Sequence, residues 1–81
     1  MPQQQDKLTL IQAFGKVIRL RRTRKGLSQE KFSFEAGFDR TYVSGIERGR
    51  RNPTLTTIQR LAEALGTEPS SLLRAAQRLT E

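Results

Sequence analysis

The 81-residue chain has no cysteine, no histidine and no tryptophan. Without cysteine it can form neither disulfides nor thiolate zinc sites, and a reducing compartment suits it. Without histidine it lacks the commonest general base and a common transition-metal ligand, and no thiol nucleophile stands in for them. The eight acids are scattered, with no Asp-x-Asp or Glu-x-x-Glu cluster to hold a hard cation. No P-loop or dinucleotide fingerprint is present. The chain therefore reads as a non-enzyme, with no metal and no cofactor. No apolar run is long enough to cross a bilayer, and the opening MPQQQDK has no signal-peptide core. A cytoplasmic location without a membrane partner follows by default.

What the chain has in excess is positive charge. Fifteen Lys and Arg stand against eight Asp and Glu, for a net charge of +7. Residues 1–51 hold 12 of the cations and 5 of the acids, while residues 52–81 hold 3 of each. The whole surplus thus lies in one part of the chain, which points to a polyanionic partner, above all nucleic acid. With 35% apolar and 28% charged residues the composition is that of a folded globular chain, and its length allows one small core.

Residues 1–7 are polar and without periodicity, and read as a flexible start to a single domain over 8–81. From Leu8 to Lys25 the apolar residues Leu10, Ile11, Phe14, Val17 and Ile18 recur at helical steps, closed by Gly26. The end of this helix is dense in Lys and Arg. Cations suit a helix C-terminus, but their number favours a phosphate-facing role for Arg22. Ser28 caps a second helix running to Ala36, with Glu30 in its first turn. Gly37 stops it where positive φ is needed. Asp39 is the natural cap of a third helix, with Val43 and Ile46 on its apolar side. After the turn-rich GRRNP, Thr54 caps a fourth helix with an apolar stripe of Leu55, Ile58, Leu61, Ala62 and Leu65, ended by Gly66. Pro69 opens a fifth, carrying Leu72, Leu73, Ala76 and Leu79. The pattern predicts an all-α fold of five helices.

The second and third helices meet at the Gly37 bend as in a helix-turn-helix. The polar side of the third helix, Arg40, Thr41, Ser44 and Arg48, carries side chains that bond to base edges and phosphates. With Gln29 opening the motif, Ser33 four residues later, Gly37 in the turn and Val43 and Ile46 as anchors, this stretch resembles the helix-turn-helix of the lambda-repressor-like (XRE) family. The run from Asp39 to Thr54, DRTYVSGIERGRRNPT, resembles more narrowly the controller proteins of restriction-modification systems. Where the family usually has an apolar residue three after Ile18, this chain has Arg21, so Leu20 is expected to compensate.

Arg40, at the N-terminal end of the third helix, is the expected bidentate reader of guanine, with Thr41 and Ser44 as further base contacts. Resemblance to the controller proteins adds Arg51 and Asn52 to the base-reading set. Gln29 is expected to hold a phosphate with Arg22, Tyr42 and Arg48. The residues alone leave Tyr42 equally readable as a half-buried aromatic, and Arg48 and Arg50 as solvated charges. Glu47 reads as an intramolecular ion pair and Phe34 as either a partner surface or peripheral core.

The resemblance implies a homodimer on palindromic double-stranded DNA, controlling its own gene and an endonuclease gene by activation and repression. The interface is expected on Leu72, Leu73, Ala76 and Leu79, with a simple lid on the core as the other reading of that helix. Activation requires a surface for RNA polymerase, for which Glu30 and Glu35 are the candidates. The rival function is an antitoxin-type interaction protein whose DNA binding is secondary.

Overall fold

A computed structural model describes residues 7–81, so the expected flexible start lies outside the described residues except for Lys7. Five helices follow in order: α1 (Leu10–Arg24), α2 (Gln29–Ala36), α3 (Arg40–Glu47), α4 (Leu55–Leu65) and α5 (Pro69–Leu79). No strand occurs among the described residues.

Local chemistry explains most of the boundaries. Thr9 and Gln12 form a reciprocal capping box, and α1 therefore starts at Leu10 rather than Leu8. The hydroxyls of Ser28 and Thr54 accept from the backbone N–H three residues on, as caps of α2 and α4. Gly37 ends α2 at φ 80°, where its N–H donates to Phe34 and the following Phe38 N–H to Ser33. Asp39 holds the cap position of α3, but its carboxylate makes no cap bond and instead accepts from the Thr41 hydroxyl at 2.8 Å.

The core is built from one side of every helix: Phe14, Val17 and Ile18 of α1, Phe32 and Ala36 of α2, Val43 and Ile46 of α3. Ile58, Leu61, Ala62 and Leu65 of α4 and Leu72 and Ala76 of α5 complete it. Each of the larger side chains stabilises the fold by about 1.5–3 kcal/mol on burial. Leu55, the first residue of α4, departs from the expected stripe and is 80% exposed, whereas Thr57 and Ile58 in the same turn are buried.

α1 lies against α3, α4 and α5, and its approach to α3 sets the orientation of that helix. Contact is closest at Gly15, where a Cβ would overlap the carbonyl oxygen of Ile46 and come within 2.8 Å of that of Glu47. Backbone meets backbone there, so neither side can yield cheaply. Arg21 does not need the compensation expected of Leu20. Its guanidinium reaches Ser71 Oγ on α5 at 3.4 Å, and Leu20 stays half exposed.

Candidate nucleic-acid interface

The axis of the site is α3. At about 100° per residue, Arg40, Ser44, Arg48 and Thr41 fall within an arc of roughly 100° on its surface. Arg40, Thr41 and Arg48 are exposed and Ser44 is half-buried. The opposite side carries Val43 and Ile46, both buried. One face of α3 is therefore core and the other a row of donors open to solvent.

Between the two faces sits Glu47, buried, and it binds this helix to the rest of the fold. Arg22 Nε donates to Glu47 Oε2 at 2.6 Å and Arg22 Nη2 to Oε1 at 3.0 Å. Arg22 Nη1 donates to the Leu27 carbonyl at 2.8 Å, and Gln29 Nε2 to Glu47 Oε1 at 2.9 Å. Such a bidentate pair between planar groups is strong and directional. It ties α1, the turn before α2, the start of α2 and the end of α3 to one carboxylate.

The expectation that Arg22 faces phosphate is therefore corrected. Arg22 is 8% exposed, with its donors turned inward. The ion pair expected of Glu47 is present, and its partner is Arg22. Gln29 also differs from expectation, since its side-chain nitrogen donates to Glu47, which leaves one side-chain N–H and the backbone N–H at the start of α2 for an anion. Glu47 was the legible sign. An acid one turn after Val43, at the edge of the apolar side of α3, needs a buried cation.

Tyr42 is half-buried and packed against its neighbours. Its hydroxyl shares a 3.1 Å hydrogen bond with Thr57 Oγ1 on α4, and its ring lies 5.2 Å from that of Phe38. Arg51 is brought to α3, with its guanidinium carbon 4.9 Å above the Tyr42 ring. Asn52 instead lines a cleft with Leu10, Ile11, Pro53 and Leu73. Glu30 and Glu35 are exposed on α2, Glu35 at 3.8 Å from Lys31, and Phe34 on the same helix is 83% exposed. Leu72 and Ala76 are fully buried within the single chain and cannot form an interface, whereas Leu73 and Leu79 are partly open. Helical spacing on α5 marked a stripe, but the core takes half of it. Among the described residues no group of three His, Cys, Asp or Glu stands ready for a metal, and no helix is long and apolar enough to cross a membrane.

Comparison with known proteins decides the family. The helix-turn-helix family profile matches residues 18–72, more than half of the chain. The chain belongs to the XRE-like helix-turn-helix family. Within it the chain is similar to the control protein C.BamHI of Bacillus amyloliquefaciens, 46% identical over 61 residues, 74% of this chain and 75% of that protein. It is also similar to the crystal structure of the restriction-modification controller protein C.AhdI from Aeromonas hydrophila. There the sequence identity is 52% and the TM-score 0.74, covering 78% of this chain and 94% of that one. A third likeness is to the controller protein C.Esp1396I, solved as a tetramer in complex with its natural 35-base-pair operator. It is 28% identical with a TM-score of 0.80, covering 91% of this chain and 97% of that one. The helix-turn-helix of the family matches α2 and α3 here, with Gly37 in its turn.

The buried cluster generates a prediction for this helix-turn-helix protein. Arg22→Ala leaves the Glu47 carboxylate buried without its cation and costs about 3–5 kcal/mol of stability, whereas Arg22→Met with Glu47→Leu recovers much of it. Urea denaturation of the three proteins measures this. A stable Arg22→Ala protein with a lowered salt dependence of DNA binding would return Arg22 to the phosphate-binding set.

Proposed function

We propose that the chain is a sequence-specific regulator of transcription that binds double-stranded DNA as a homodimer, a controller protein of a restriction-modification system. The observation that carries this reading is the solvent-facing arc of Arg40, Thr41, Ser44 and Arg48 on α3 of a chain 46% identical to a control protein. An exposed arginine at the first turn of that helix suits the O6 and N7 acceptors of guanine in the major groove. The charge surplus in residues 1–51 supplies the non-specific attraction to the duplex. A cytoplasmic location, with access to the chromosome, goes with this function.

One copy of α3 reads too few base pairs for tight selectivity, and a two-fold dimer on a palindromic operator solves that, with half-sites roughly 34 Å apart. The dimer surface we assign differs from the α5 stripe alone. Leu8, Leu10 and Leu73 line one cleft, Leu10, Ile11, Pro53 and Leu73 the adjoining one, and the exposed Leu55 stands two residues beyond Pro53. Of these residues Pro53, Leu55 and Leu73 belong to residues 52–81, where the charge balances.

Arg40→Ala is expected to reduce discrimination between the operator and random duplex by about 1–3 kcal/mol while leaving most of the non-specific affinity. Mobility-shift titrations at several salt concentrations read both quantities, and undiminished preference would remove Arg40 from the reading set. Leu10→Glu together with Leu55→Glu is expected to give a folded monomer in sedimentation equilibrium at micromolar protein. A dimer surviving both substitutions would place the interface elsewhere.

A further inference from the structure

Arg51 lies outside α3 in sequence, yet its side chain is laid along that helix. Its guanidinium carbon sits 4.9 Å above the ring of Tyr42, a cation–π distance. Its stem crosses Gly45, where a Cβ would come within 2.6 Å of Arg51 Cγ and 3.5 Å of Cδ. Gly45 lies on the surface of α3 at about 140° from Arg40, beside the arc that ends with Thr41. The glycine leaves a notch there and the arginine stem fills it, so that Gly45 is buried at the edge of the open arc.

Tyr42 is itself fixed from two sides. Its hydroxyl shares a hydrogen bond with Thr57, which in turn accepts one from Thr54 at 3.1 Å. Its ring leans on Phe38, and Arg60 of α4 stacks on the far ring, with its guanidinium carbon 4.9 Å from the Phe38 centroid. The order along the surface is Arg60, Phe38, Tyr42, Arg51, with cations at both ends of an aromatic pair. The Tyr42 hydroxyl is tied to α4 through Thr57. Arg51 is thereby held against a rigid ring instead of ranging freely from a turn-rich loop.

We propose that Tyr42 and Gly45 are positioning residues that seat Arg51 on α3 before DNA arrives, so that a side chain from the following loop extends the reading face of the helix. The proposal rests on the reading of the chain as a DNA-binding regulator. An arginine that is already ordered loses less side-chain entropy on binding. An ammonium in its place would keep the charge but lose the flat stack on the ring.

The test is a double-mutant cycle on a duplex of the DNA immediately upstream of the gene, with a shuffled duplex of equal length as reference. Tyr42→Leu removes the ring, Tyr42→Phe keeps it without the hydroxyl, and Gly45→Ala fills the notch. Tyr42→Leu and Gly45→Ala are each expected to weaken binding to the upstream duplex about two- to tenfold. On an Arg51→Ala background the same substitutions are expected to have no further effect, and Tyr42→Phe, which keeps the ring against Phe38, is expected to lose less affinity than Tyr42→Leu. A DNA-free readout accompanies the cycle. Ring-current shifts of the Arg51 side-chain protons are expected in the parent and in Tyr42→Phe, and are expected to vanish in Tyr42→Leu. Equal losses with and without Arg51, or no ring-current shift in the parent, would overturn the proposal. A parent with the shift but with no preference for the upstream duplex would instead overturn the regulatory function.

Discussion

The structure depends on one buried carboxylate. Glu47 ends α3 and gathers two bonds from Arg22 of α1 and one from Gln29 of α2, while Arg22 reaches on to the Leu27 carbonyl. An isolated ionised pair in an interior gives back much of its attraction in desolvation, so stability alone does not explain its place. What it supplies is direction. The guanidinium is planar and both of its edges are used, so α1, α2 and α3 can meet in only one mutual orientation. Close by, Gly15 lets the backbone of α1 lie against that of α3. The angle at which the reading helix leaves the protein is set by these two contacts. Among the described residues, no buried side-chain nitrogen or oxygen lacks a partner, as a cluster of this kind requires.

With the rear of α3 fixed, its front is free to be chemical. Arg40 is exposed at the first turn, and Thr41 is steadied by Asp39. Asp39 shows how a cap position can serve a second purpose. Its carboxylate takes the Thr41 hydroxyl and leaves the amides at the start of α3 without a side-chain acceptor. The same economy is visible at Gly45, where the lack of a side chain lets Arg51 come down onto the helix.

Much of this was legible in the sequence, because the signals were local. Ser28, Thr54, Pro69 and Gly37 each act within a turn of their own position, and each marks the boundary it was read to mark. Arg22 was misread because its neighbours in sequence are cations, whereas its partner lies 25 residues away. The stripe on α5 divides between core and surface for another reason. A residue spacing of four serves a core and an interface equally well, and only the position of α1 over α5 decides that Leu72 and Ala76 are covered. The packing of Tyr42 depends on Thr57, a hydroxyl with no periodic signature.

The division of labour between a locked rear and an open front of α3 is tested most directly by following side-chain and backbone NMR signals as duplex operator DNA is added. The account predicts large shifts at Arg40, Thr41, Ser44 and Arg48, with the Nε–H of Arg22 unmoved in its bond to Glu47. Shifts concentrated at Arg22, with the exposed arc of α3 unaffected, would contradict it.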